Sequence, residues 1–155
     1  MKKFVFLLLS LVFLTALCAC GGSAPQTDFA PSDLTAELLD SSCFTDLLSE
    51  MDLDVALELY GIDASQVDSC SVYLGTGATA EEIAVFKAKD ADSAKAIADA
   101  LKDRVSSQIA AYENYVPAEV PKLKSAILRS SGVYSIYVTA ADAKAAGEII
   151  DKYMK

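Results

Sequence analysis

Glu81-Glu82-Ile83-Ala84-Val85-Phe86-Lys87 decides how this chain folds. The run is rich in β-branched and aromatic residues and reads as a strand. Before it, Ser69 to Leu74 alternates, with Tyr73 on one face and Val72 and Leu74 on the other. Gly75-Thr76-Gly77-Ala78-Thr79-Ala80 between the two is a turn, so the pair predicts a hairpin. After it, Asp90 caps a helix whose body runs from Ala91 to about Tyr115. Ile97, Leu101, Val105, Ile109 and Tyr112 recur along that helix at spacings of three and four, which makes one apolar stripe. Pro117 and Pro121 end it.

The same order repeats toward the C-terminus. Lys124 to Arg129 and Val133 to Val138 read as strands joined by Ser130-Ser131-Gly132. A last helix starts at Thr139 or Ala140 and buries Ala143, Ala146, Ile149 and Ile150. Toward the N-terminus, Ser32 or Asp33 caps a helix with Leu34, Leu38 and Leu39 on one face. Phe44, Leu47, Leu48 and Met51 form a second amphipathic stretch, continued by Leu53 to Tyr60 and stopped at Gly61. Asp63 to Val67 is a loop or a single turn. The fold class expected is α+β: N-terminal helices, then two ββα units forming a four-stranded, mainly antiparallel sheet with helices on one face.

The ends carry an address. Met1-Lys2-Lys3, the apolar run Phe4 to Leu17 and then Leu17-Cys18-Ala19-Cys20 have the form of a signal peptide with a lipobox. The run is shorter than the ~18–20 residues a spanning helix needs. Cys20 is the expected lipidation site, carrying diacylglyceryl and fatty acyl chains such as palmitate. The expected organisation is signal peptide 1–19, lipidated flexible tether 20–32 and a single α+β domain 33–155. The expected location is the extracytoplasmic face of the cell membrane.

Composition narrows the chemistry. Asp and Glu number 22 against 13 Lys and Arg, a net charge of −9, and loss of Lys2 and Lys3 makes the balance more negative still. That argues against nucleic acid and against a polybasic lipid contact, so the lipid on Cys20 would hold the membrane alone. The chain has no histidine, which removes the usual hydrolase triads and the commonest metal ligand. It has no tryptophan to form a sugar-stacking platform. Cys43 and Cys70 can pair in an exported protein or pack as small buried hydrophobes, and the sequence leaves both open.

Several motifs have a bland reading that outweighs the functional one. Gly75-Thr76-Gly77 suggests a phosphate loop, but a strand follows where a helix start is needed. Asp52, Asp54, Glu58 and Asp63 lack calcium-loop spacing and read as solvated. Tyr112, Tyr115, Tyr134 and Tyr137 can line a groove but are expected to close a core. The most suggestive polar set is Glu82, Arg104 and Gln108 with Glu81 nearby. Arg104 and Gln108 lie one helical turn apart, and Glu82 sits in the strand before that helix, so a carboxylate–guanidinium pair is expected at the seam. Glu81 and Glu82 are adjacent in a strand and point oppositely, which prevents an acid/base pair on one face.

Tyr60-Gly61, Glu81 to Lys87, the helix with Arg104 and Gln108, Tyr115-Val116-Pro117 and Gly132-Val133-Tyr134 together resemble the domain-of-unknown-function 4358 family of small bacterial lipoproteins, over roughly residues 40–154. The resemblance implies a cell-envelope lipoprotein domain of a Gram-positive, clostridia-like bacterium and carries over no activity. It nominates Glu82, Arg104, Gln108 and Tyr115 as a binding or structural polar cluster. The expected function is a non-enzymatic binding or interaction domain without cofactor or metal, its partner an envelope protein or a small ligand. The alternatives are a structural accessory subunit of a membrane complex and a carboxylate-dependent envelope enzyme.

Overall fold

The computed structural model describes residues 28–154. The leader, Cys18, Cys20, tether residues 20–27 and Lys155 lie outside the described residues.

Glu82–Ala88 forms the central strand, β3, in the element order α1 (Pro31–Asp40), β1 (Ser49–Glu50), α2 (Leu53–Tyr60), β2 (Val67–Leu74), β3, α3 (Ala91–Tyr115), α4 (Val120–Lys124), β4 (Ile127–Ser131), β5 (Tyr134–Thr139) and α5 (Ala143–Tyr153). All strand pairings are antiparallel, and the sheet runs β1-β2-β3-β5-β4. The fold is α+β, with five strands where four were expected. The additional strand, β1, has only two residues, too few to show a period.

Helices cover both faces of the sheet, which corrects the expectation of one covered face. Ala84 and Phe86 pack with Ile97 and Leu101 of α3 and Ala56 and Tyr60 of α2. Ile83 and Val85 pack with Leu34 and Leu38 of α1 and Ile150 of α5. Successive side chains of a strand point to opposite faces, so a strand apolar at four consecutive positions needs cover on both.

Local chemistry sets the element ends. The Asp90 carboxylate accepts from Ser93 N at 2.7 Å and starts α3. Gly61 ends α2 at φ 64°, a left-handed cap that a Cβ disfavours. Asp142, rather than Thr139 or Ala140, caps α5 by accepting from Ala145 N at 2.9 Å. Neither Ser32 nor Asp33 caps α1, which starts one residue earlier, with Pro31 at its first turn and Ala30 as cap. α3 ends at Tyr115, just before Pro117, as expected, but a 3₁₀ turn, Pro117–Glu119, and α4 follow, so β4 begins at Ile127 instead of Lys124. Residues 44–48 are irregular and lead into β1 instead of forming a helix continuous with α2.

The last residues assigned to the tether are part of the fold. Phe29 stacks on Tyr134 at 4.1 Å between ring centroids, and Asp28 pairs with Lys87 at 2.8 Å. Cys43 and Cys70 are both free thiols, packed into cores on opposite faces of the sheet.

Candidate functional site

Glu82 opens β3 on the face covered by α2 and α3, and is 2% exposed. A carboxylate buried to this degree needs partners for both oxygens. Arg104, in the middle of α3, supplies a two-pronged contact: Nε donates to Oε1 at 3.1 Å and Nη2 to Oε2 at 2.9 Å. Gln108, one turn on, donates Nε2 to Oε2 at 3.3 Å. Tyr60, the last residue of α2, donates its hydroxyl to Oε1. The Arg104 guanidinium also lies 5.7 Å from the centre of the Tyr60 ring. Three of the four nominated residues therefore meet. The fourth, Tyr115, does not join them: it ends α3, is 71% exposed and touches Tyr112 edge-on at 6.1 Å.

Electrostatics lock protons in this cluster. Burial, reinforced by the Glu82 charge, pushes the Tyr60 phenol well above its usual 10.0. Burial and Glu82 also push up Tyr137, whose hydroxyl accepts from Thr139 Oγ1 at 2.9 Å. Burial works against the charge on Arg104, but the hydrogen bonds and charge of Glu82 outweigh it and raise its pKa. Each shift carries its group further from neutrality, so these residues hold an ion pair and two neutral phenols instead of passing protons.

Glu81, equally buried, serves a different set of groups. Its Oε2 accepts from Thr45 N at 2.8 Å and Asp46 N at 2.9 Å, and its Oε1 from Thr45 Oγ1 at 2.7 Å and Lys122 Nζ at 2.9 Å. Burial would raise its pKa, but the Asp46 and Thr45 donors and Lys122 together hold it below the usual 4.5. Lys122, on α4, also pairs with Glu119 at 2.8 Å. The two carboxylates share no partner, as the strand alternation required.

The Gly75–Gly77 turn holds an anion after all, and it is one of the chain's own. Thr76 N, at 2.9 Å, and the Thr76 and Thr79 hydroxyls, at 3.0 and 2.9 Å, all donate to Asp46 Oδ2. A Cβ on Gly75 would sit 2.6 Å from that oxygen, so any side chain here forces the Asp46 carboxylate to shift.

The four tyrosines line no common groove. Tyr112, Tyr134 and Tyr137 are buried in three different packing clusters or their margins, with Tyr112 donating its hydroxyl to Thr79 O at 2.7 Å. A cavity of about 150 Å³ beside Glu82 and Gln108 is smaller than the ~300–1,000 Å³ usual for ligand sites. Asp52, Asp54 and Glu58 are exposed, and Asp63 caps the 3₁₀ turn Ala64–Gln66. Among the described residues, no cluster of three Asp, Glu or Cys side chains is arranged to hold a metal, and no buried side-chain nitrogen or oxygen lacks a hydrogen-bond partner.

Sequence reasoning missed Tyr60, Thr45, Asp46 and Lys122. Tyr60 ends α2 beside the Gly61 cap, and its contact with Glu82 depends on where α2 docks, 22 positions away along the chain. Thr45 and Lys122 lie 36 and 41 positions from Glu81, and no local pattern marks such pairings.

A family model described as Domain of unknown function (DUF4358) matches residues 44–140. That span holds both carboxylates and every partner named for them, and leaves out α1 and α5. No curated protein and no solved structure matches the chain.

Proposed function

We propose, for a chain that belongs to the DUF4358 domain-of-unknown-function family, that it works as a lipid-anchored interaction domain on the outer side of the cell membrane and not as an enzyme. The observation that carries this reading is the saturation of Glu81 and Glu82. Each accepts four hydrogen bonds from the chain itself, so both are committed to holding elements together. A catalytic carboxylate needs an oxygen free for substrate or water. The anchor follows from the lipobox ending at Cys20. Among the described residues no helix is long and apolar enough to cross a membrane; in this proposal the lipid on Cys20 supplies the attachment.

The test is metabolic labelling with radiolabelled palmitate in the native host. Label should enter the wild-type chain and be absent from Cys20→Ala. Equal labelling of both removes the anchor. For the second half of the proposal, the purified chain should not turn over generic ester, peptide or phosphomonoester substrates. Turnover that disappears on substitution of one Asp or Glu would make it an enzyme.

A further inference from the structure

The two edges of the sheet are unlike. β1 is two residues long, which leaves little unpaired backbone. β4, at the other edge, is five residues long and has no proline. Its one charged side chain, Arg129, reaches toward Asp151 of α5 at 3.7 Å. On the α3 side this strand presents the uncharged side chains of Leu128 and Ser130, and a guest strand would have to displace the Arg129 guanidinium from the outer backbone.

The hairpin sets which backbone groups face outward. Gly132 and Val133 form a two-residue loop, with Gly132 at φ 55°, and Ser131 stands opposite Tyr134. Residues flanking a two-residue loop exchange hydrogen bonds, and the next pair does not. Ile127, Arg129 and Ser131 therefore point their N–H and C=O groups at β5, while Leu128 and Ser130 point theirs away from the sheet. In agreement, the Leu128 carbonyl accepts from the guanidinium of its neighbour Arg129 at 3.2 Å.

The side chains of Leu128 and Ser130 stand opposite Tyr137 and Ser135, on the face covered by α3. With α3 they wall a groove of about 440 Å³. Ala94, Ala98 and Leu101 form its apolar helix side, and Lys95 and Lys102 its rim. In a chain with 22 acidic residues, none lines this groove. Lys102 has Asp99 at 2.8 Å, an exposed pair that a better-placed carboxylate can displace.

We infer that an extended acidic peptide segment of a partner protein adds to β4 in this groove, as a sixth strand. Only another backbone supplies donors and acceptors in register with those of Leu128 and Ser130. Ala94 and Leu101 are already buried, so alternate side chains of the guest would lie against Ala98 and the stems of Lys95 and Lys102, which favours small apolar residues. Its carboxylates would meet Lys95 and Lys102. This inference rests on the proposed interaction role and names the surface and the partner's chemistry.

The test uses the full chain in detergent micelles and a fluorescein-labelled eight-residue peptide alternating Val and Glu, read by anisotropy. Three controls accompany it: the same peptide N-methylated at every second residue, a Val–Lys counterpart, and melting curves of each variant. Saturable binding is expected, about tenfold or more weaker for both altered peptides and for the Lys95→Glu, Lys102→Glu double variant at an unchanged melting temperature. Lys144→Glu, on α5, should bind as wild type. No binding of the Val–Glu peptide, equal binding of the N-methylated or Val–Lys peptide, or an equal loss in Lys144→Glu overturns the inference. So does a dimer of the full chain that the peptide dissociates, which gives the edge to a second copy. Failure here with palmitate still incorporated at Cys20 removes the groove and leaves the anchor. Failed labelling with peptide binding intact does the reverse.

Discussion

Glu81 and Glu82 are neighbours, equally buried, and accept the same number of hydrogen bonds, yet they do different work. Glu82 is met only by side chains, from the end of α2 and the middle of α3. It fixes how two helices sit on one face of the sheet. Glu81 is met half by backbone, from Thr45 N and Asp46 N, and half by side chains, from the Thr45 hydroxyl and Lys122 of α4. It fixes a loop that has no regular structure of its own. A charge surrounded by long side chains in a packed seam has nowhere to go when a partner is lost. A charge surrounded by loop backbone can let water in as the loop gives way. The strength of each cluster should therefore follow the stiffness of what surrounds it.

The largest expected effect tests the stiff side. Arg104→Ala strands the Glu82 carboxylate in the seam and should cost about 3–5 kcal/mol. The Glu82→Ala, Arg104→Ala double variant should lose less than the sum of the two single variants, because the second change removes the charge that the first one stranded. Thermal or urea melts decide it; strict additivity would mean the pair contributes no coupling.

On the yielding side, Glu81→Ala should cost about 2–3 kcal/mol, since Thr45 N, Asp46 N and Lys122 lose an acceptor near the surface. A loss as large as that of Arg104→Ala would abolish the contrast. The same site gives a pH signature. The folded pKa of Glu81 lies below the ordinary 4.5, so its contribution is complete above that value and is lost as pH falls through the lowered one. Lys122 has its pKa raised above the ordinary 10.5, since its bonds to Glu119 and Glu81 outweigh burial, so its contribution holds below 10.5 and is lost as pH rises through the folded value. Stability followed from pH 7 downward should fall less steeply in Glu81→Gln than in wild type.

Gly75→Ala tests whether that loop really yields. The new Cβ would press on Asp46 Oδ2 and, at 3.1 Å, on the Glu81 carbonyl. A cost of about 1–3 kcal/mol is expected, and a neutral change would show that the Asp46 carboxylate can move aside. Smaller again, Tyr60→Phe removes one of four donors to Glu82 and should cost about 1–1.5 kcal/mol. Smallest is Tyr115→Ala, within about 0.5 kcal/mol in a melt, because that ring is largely in solvent and outside both clusters.

How legible each of these elements was depended on the range of the interaction that fixes it. The hairpin of β2 and β3, the Asp90 cap, the stripe of α3 and the Gly61 stop were readable because each depends on residues within a few positions of each other. Glu82 and Arg104 could be paired because a strand leading directly into a helix brings residues 22 apart to one seam. The second covered face was visible in principle: Ile83-Ala84-Val85-Phe86 has no polar position, and an open face would have left one. Strand propensity alone does not separate a strand covered on one face from one covered on both; the lack of alternation does. β1 was not legible, because two residues make a strand only when β2 is there to pair with.

By itself, then, the sequence determined the class of fold, the main hairpin, the long helix and the carboxylate–guanidinium seam. Local propensity and period set all of these before any distant segment arrives. Only the tertiary structure decided that Asp46 fills the Gly75–Gly77 turn, that Thr45, Asp46 and Lys122 hold Glu81, and that Tyr60 completes Glu82. Those contacts join segments whose separation along the chain leaves no periodic mark. The tertiary structure also made β4 an edge and set α3 beside it. A strand's own residues are the same whether it ends a sheet or lies within one, and only the packing of the others makes it an edge.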